Sequence, residues 1–342
     1  MAIIGASYVT VNPSYTLPET IIQYGQVSGC FNLLAGNDPM NRLEEGDLFV
    51  YAKRVDLRTI VRADQSSVNQ LPSCSVVLSQ LQIPTYNVQV RAEYDHHDVA
   101  AAARWGVAAP EAHRLAMRQG IYQQMRNALL YGMNPVNNEG LLNAQQATTI
   151  NLPNDSNGND TVVTYDNGQM AIFLLTVIQQ AKARCLQLGL PSRIVICGPQ
   201  ETLGAFEYQN IVSLTQYQRP GAGTSSTAGM VTDVVEMNGD TIEWVYDDTL
   251  KGKGAGGTDA VIISIPEVKR QNGRAGQPNT APFNELKPGL SATVLQLIDM
   301  AAPREIPTPL AGGAIDVMSE LRMTPGWPVR PEAVTIVSMQ YS

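Results

Sequence analysis

Apolar and polar residues alternate, with breaks, along two neighbouring runs: FVYAKRVDLRTIVRA from Phe49 and SVVLSQLQIPTYNVQVRAEY from Ser75. Both are rich in the β-branched and aromatic residues that favour pleated backbone. Between them lies DQSSVNQLPS, whose polar residues and proline mark a turn. The pattern predicts a long antiparallel hairpin within residues 46–93. Its arms exceed the usual strand length of about five or six residues, and polar groups interrupt both faces, so a hairpin of this kind needs a surface to rest on.

The period then changes. Pro110 and Glu111 fit a first helical turn, Leu115, Tyr122, Met125 and Leu129 share one face, Arg114 and Arg118 lie off it, and Gly132 stands at a terminating position. At 1.5 Å per residue this helix reaches roughly 30 Å. Met170, Phe173, Leu174, Val177, Ile178, Ala181, Cys185 and Leu188 mark a second helix, with Gly189 and Pro191 as stop signals. RIVIC predicts a buried strand and QETLGAFEY a third helix, while RPGAGTSSTAGM has loop composition. VTDVVEM, TIEWVYDD and AVIISIP read as strands, as do the stretches around ATVLQLIDM, GAIDVMSELRM and AVTIVSMQY that follow the Gly/Pro-rich QNGRAGQPNTAPFNELKPG.

The first forty residues hold neither period. Such a segment builds no core by itself, and its Ile21, Ile22, Val27, Phe31, Leu33 and Leu34 suit an arm ordered by lying along another surface. Strands and helices are partly segregated, with no regular βαβ alternation and no fixed-period repeat, so the fold class is α+β.

Composition narrows the function. Charged residues make up 16% of the 342 positions, against roughly 25% in ordinary soluble chains, which points to surfaces covered by partners. The net charge of -8 and the absence of a lysine/arginine block remove the electrostatic footprint of a dedicated nucleic-acid binder. Cys30, Cys74, Cys185 and Cys197 form no CxxC pair, which fits reduced thiols better than a disulfide framework or a zinc site. The opening MAIIGASYVT lacks the basic region and long apolar core of a signal peptide, and no membrane span is expected.

Candidate chemistry is sparse. YDHHD, Tyr94 to Asp98, pairs two imidazoles with two carboxylates that could ligate a divalent metal. Adjacent side chains on an extended chain point to opposite faces, however, so His96 and His97 converge only if the chain turns, and a solvated turn is the plainer expectation. His113 has no HExxH pattern around it and is expected at the surface. Cys197 ends an apolar strand without a GxSxG-type elbow, which favours a small core hydrophobe over a nucleophile. In KGKGAGGTD, Lys251 to Asp259, the lysine precedes the glycines and a strand follows, so a turn is expected rather than a phosphate loop. Asp247 and Asp248 read as exposed hairpin acids. No catalytic, cofactor-binding or metal-binding residue is assigned.

One short string remains, EGLLN, Glu139 to Asn143, just beyond the long helix. The series of irregular arm, long hairpin, long helix, GLLN, helix-strand-helix and closing strands resembles the major capsid proteins of tailed bacteriophages, the Hong Kong phage fold shared with encapsulins. The resemblance spans nearly the entire chain. It implies an N-terminal arm at 1–45, an extended loop (E-loop) at 46–93, a peripheral domain with its spine helix at 94–165, an axial domain at 166–284 and return strands of the peripheral domain at 285–342. Gly140, Leu141, Leu142 and Asn143 would be a structural motif: Gly140 for a sharp turn, the leucines as packing between helix and sheet, Asn143 bonding backbone. Glu139 is assigned no role.

The same resemblance implies a non-enzymatic subunit that assembles with itself as pentamers and hexamers into an icosahedral head. Scaffolding, portal and decoration proteins are the further partners it implies. Such a head encloses double-stranded DNA without sequence-specific binding, involves no membrane and is assembled in the bacterial host cytoplasm. Mild acidity fits a container whose inner wall repels its cargo. The alternatives are an encapsulin-type compartment and a soluble enzyme with an unrecognised site. Some relatives join subunits through a lysine-asparagine cross-link, but Lys53 is the sole lysine in 46–93 and no asparagine occurs from Pro288 onward. Denaturing electrophoresis of assembled particles should therefore give a single monomer band; a persistent ladder would contradict this.

Overall fold

The computed structural model describes residues 29–58, 75–104, 106, 108–134, 139–144, 147–185, 191–214, 226–268, 293–310 and 313–342. The hairpin tip, residues 1–28 of the expected arm and the 271–289 connection lie outside them. In chain order the elements are β1 (Met40–Asn41), β2 (Phe49–Arg58), β3 (Ser75–Pro84), β4 (Tyr86–Tyr94), α1 (His96–Arg104) and α2 (Ala109–Leu130). There follow β5 (Thr148–Asn151), α3 (Asn167–Arg184), β6 (Arg193–Gly198), α4 (Gln200–Leu214), α5 (Thr227–Met237), β7 (Thr241–Tyr246) and β8 (Asp259–Ser264). The chain closes with β9 (Leu295–Gln296), β10 (Ile298–Asp299), β11 (Arg304–Pro309), β12 (Ile315–Met323), β13 (Trp327–Pro328) and β14 (Val334–Met339). No described helix is long and apolar enough to cross a membrane.

The hairpin forms, but it ends earlier than expected. β2 and β3 pair antiparallel from Phe49 opposite Pro84 to Arg58 opposite Ser75. The chain then leaves this ladder, and β4 pairs with β12 instead, from Tyr86 opposite Met323 to Tyr94 opposite Ile315. The boundary expected at residue 93 therefore falls at Pro84. Proline has no N–H with which to extend a ladder, and the next residue, Thr85, donates its N–H to Leu48 O and its hydroxyl to Asp47 O, pinning the hairpin base.

Two cores lie on opposite faces of one sheet ordered β5-β14-β8-β6-β7. Alternate residues of its strands divide between them: Val195, Cys197, Ala260, Ile262, Val334 and Ile336 face α2, whereas Ile194, Ile196, Val261, Ile263, Val337 and Met339 face α3, α4 and α5. Burial on both faces explains the unbroken apolar runs RIVIC and AVIISIP. β5, from the expected peripheral segment, and β14, from the expected return strands, are both members of this sheet beside β6, β7 and β8. The division at residues 166 and 285 is thus crossed by hydrogen-bonded strands.

Local expectations are corrected at four places. VTDVVEM is not a strand: it belongs to α5, whose N-cap Ser226 accepts from Gly229 N–H and whose Ala228, Val231 and Val235 are buried at helical spacing. β-branched valines disguised that period. On α2 the buried stripe runs through Met117, Ile121, Met125 and Ala128 to Leu130, while Leu115 and Tyr122 are about two-fifths exposed. β11, sequence REIPTP, was hidden by its prolines, which an edge strand tolerates because one side of its backbone needs no partner. Lastly, the part of the expected arm from Cys30 to Leu34 packs into the protein's own core through Cys30, Phe31, Leu33 and Leu34.

Buried charge is handled in two ways. Lys182 Nζ donates to both carboxylate oxygens of Asp240, at 2.8 and 2.6 Å, and Ser192 N–H donates to the same acid at 2.7 Å. Asp299, on β10, is only 6% exposed and its Oδ1 has no hydrogen-bond partner among the described residues. Burial pushes its carboxyl up to about 6, and the charge of Asp38 adds to that. Because the folded-state pKa is raised, stability is full below the ordinary value near 3.8 and is lost as pH rises through about 6. Asp299→Asn should therefore stabilise the fold at pH 7.5 by on the order of 2 kcal/mol and make little difference at pH 4. Thermal unfolding at the two pH values reads this out, and an equal effect at both would contradict it.

Candidate functional site

An α-helix ends with carbonyls that have no partner inside the helix. In α2 these lie deep in the protein, because Ala128, Leu129 and Leu130 are fully buried. Water does not reach them, and leaving one unpaired costs roughly 1–3 kcal/mol. The sequence meets this need with EGLLN.

Gly132 N–H and Gly326 N–H donate to Ala128 O at 3.1 and 2.9 Å, Leu141 N–H donates to Leu129 O at 3.0 Å, and Leu142 N–H donates to Leu130 O at 3.0 Å. Asn143 Nδ2 completes the set by donating to Tyr131 O at 2.8 Å and to Glu139 O at 3.1 Å. Gly140 N–H in turn donates to Gly326 O at 2.9 Å, which ties this turn to the segment joining β12 and β13.

Such close stacking of backbone on a helix end requires glycine. Gly140 has φ +85°, and a Cβ there would lie 2.3 Å from Gly132 N and 2.4 Å from Tyr131 C. Leu141 is fully buried in the core that α2 shares with the central sheet, and Leu142 packs against the same core half-buried. The four residues singled out in the sequence are thus brought together as a cap on the long helix.

Glu139, which the sequence reading left without a role, proves central. Its carboxylate is buried, with Oε1 accepting from Tyr86 Oη at 2.8 Å and Oε2 from Asn134 N–H at 2.8 Å and Met133 N–H at 3.3 Å. Tyr86 opens β4 just beyond the hairpin, so one acid joins hairpin base, helix end and cap. The available signal was an acid directly preceding GLLN.

The other candidates resolve differently. Asp95 N–H donates to Asp98 Oδ2 at 3.2 Å, the chain turns there, and α1 begins at His96, so the imidazoles of His96 and His97 do converge, with ring centroids 3.9 Å apart. The turn on which their convergence depended is present, and the backbone is helical from His96 onward. His113 is half-buried and its ring stacks on Tyr94 at 5.4 Å. Cys197 is fully buried, and burial pushes its thiol well up; Cys185 is raised by burial to about 11.

In the glycine-rich turn, Gly252 N–H donates to Asp259 Oδ1, Gly254 N–H to Thr258 O and Ala255 N–H to Ser338 Oγ, so these donors are engaged internally. Asp247 is buried rather than exposed, accepting from Thr249 N–H and hydroxyl, while Asp248 accepts from Gln200 N–H at the start of α4. Both acids act as turn and helix caps.

Residues 62–198 match the family model described as Major capsid protein. No curated protein matches the sequence. Among solved structures, the capsid of Myoviridae phage XM1 is 12% identical with a TM-score of 0.65, covering 95% of this chain and 96% of that one. The capsid of the native GTA particle is 11% identical with a TM-score of 0.57, covering 96% and 95%. The capsid of cyanophage P-SCSP1u is 12% identical with a TM-score of 0.53, covering 96% and 93%. At these identities what is shared is the fold, over nearly the full length of each chain.

The cap is directly testable. Gly140→Ala forces a side chain into backbone and into a left-handed conformation, costing about 2–4 kcal/mol, whereas Asn143→Ala removes two hydrogen bonds at about 1–2 kcal/mol. Urea unfolding of unassembled subunits should rank the variants in that order. A Gly140→Ala loss under about 0.5 kcal/mol would contradict the geometry.

Proposed function

We propose that this chain is a tailed-phage major capsid protein, a reading supported by the family match over residues 62–198 and by the shared fold, and that it builds its shell by docking the hairpin formed by β2 and β3 on a neighbouring copy. The observation that carries this reading is the hairpin itself. Among the described residues it pairs only within itself, as a two-stranded sheet separate from the larger sheets. Leu48, Phe49, Tyr51, Leu78 and Leu81 on it or at its base are between 45% and 76% exposed. A two-stranded hairpin is marginal in water by itself, and covering each such side chain is worth about 1.5–3 kcal/mol. A neighbouring copy supplies that cover at every position of a shell, which is how many modest contacts accumulate into a stable particle.

In this reading copies associate as pentamers and hexamers in the host cytoplasm, with scaffolding and portal proteins as further partners. The finished shell encloses double-stranded DNA through shape rather than sequence-specific contacts. The net charge of -8 supports a wall that does not hold its cargo tightly. The helix cap is the structural counterpart within each subunit: it seats the hairpin base, through Tyr86 and Glu139, on the end of α2.

Leu78→Lys and Leu81→Lys together should leave the subunit folded, as read by circular dichroism, yet reduce sedimentable particles at least tenfold. Negative-stain microscopy counts the particles, and nuclease protection of enclosed DNA distinguishes a genome container from an enzyme-filled compartment. Normal particle yield from the double variant would sink the docking proposal.

A further inference from the structure

We propose that Asp95, His96 and His97 form a binding site for a divalent transition metal. The proposal stands apart from shell assembly, since it uses residues that neither the cap nor the hairpin employs. Each of the three offers one ligand atom, and these atoms all lie within 4.8 Å of one another. The imidazoles already lie close, with centroids 3.9 Å apart and planes tilted by 39°, and Asp95 Oδ1 is 2.5 Å from His96 Nδ1.

The backbone beneath them is held. β4 is paired with β12 as far as Tyr94 opposite Ile315, α1 starts at His96, and Asp98 closes the turn by accepting from Asp95 N–H. A site built on element ends rather than on a loose loop keeps its ligands in register. Gly313, in the turn between β11 and β12, leaves room beside the ring: a Cβ there would stand 3.3 Å from His96 Nδ1.

Two imidazole nitrogens and one carboxylate oxygen suit zinc, nickel or copper rather than magnesium or calcium, which take oxygen ligands. Bond lengths of about 2.0–2.2 Å put neighbouring ligand atoms roughly 3 Å apart. The Asp95–His96 contact must therefore widen slightly and the other separations close, which rotation of exposed side chains accomplishes; His96 and His97 are both exposed. Three protein ligands leave further positions to water or to a group on another molecule.

The test uses untagged full-length chain, stripped with a chelator and titrated with zinc chloride by calorimetry. One zinc ion per chain is expected. His96→Gln and His97→Gln should each weaken binding about tenfold or more, while His113→Gln, which alters the imidazole stacked on Tyr94, should leave it unchanged. On the unaltered chain, cobalt(II) should broaden the NMR signals of the His96 and His97 rings far more than that of His113, whose ring lies one stacked tyrosine away, a readout that needs no variant to fold. The proposal is overturned by absence of stoichiometric zinc uptake, by undiminished uptake in the His96→Gln/His97→Gln double variant, or by equal broadening of all three rings.

Discussion

The buried end of α2 is the constraint around which the molecule is arranged. Its last carbonyls lie among fully buried Leu129, Leu130 and Leu141, where no solvent can satisfy them. Each must find a donor from the chain itself. Beyond Gly132 at the helix end itself, the donors come from two places far apart in sequence, the 140–143 turn and Gly326. A helix stop therefore fixes the position of the segment between β12 and β13, and β12 carries β4 with it. The acid at position 139 extends the same network to the foot of the hairpin.

That rigid body contrasts with what projects from it. The central sheet is apolar on both faces and covered on both, so its inner strands β6, β8 and β14 are almost wholly buried. The hairpin of β2 and β3 is the reverse, with large apolar side chains left open. A complete core with an open appendage is the division of labour that the proposed shell subunit needs: each copy folds, and neighbours would supply the cover for its outlying residues. The low charged fraction agrees with the proposed burial of this surface against other copies.

Buried polar groups mark where the fold is tuned. Lys182 and Asp240 pair with each other in the buried interior, with Ser192 N–H as a third contact. Asp299 lacks such compensation beside the short β1–β10 ladder, where Met40 N–H donates to Leu297 O and Arg42 N–H to Asp299 O. That ladder is where the chain leaves the core for the hairpin, so the carboxyl that burial raises to about 6 sits at the hairpin's root.

Sequence by itself determined the element types with strong local periods: the hairpin, the long helix with its glycine stop, α3, and the apolar strands β6, β8 and β14 all follow from side-chain spacing. It also drew attention to GLLN, through the resemblance that the order of elements carried rather than through the four residues alone. Tertiary structure decided the rest. Which face of α2 is buried, with Leu115 out and Met117 in, depends on two sheets that meet it from elsewhere. Whether VTDVVEM is strand or helix depends on packing against α3 and α4, and whether Asp247 or Glu139 is exposed depends on chain segments that arrive from a distance. Local spacing encodes period, but it carries no information about which surface another segment will cover, and burial and hydrogen-bond pairing are set by that cover.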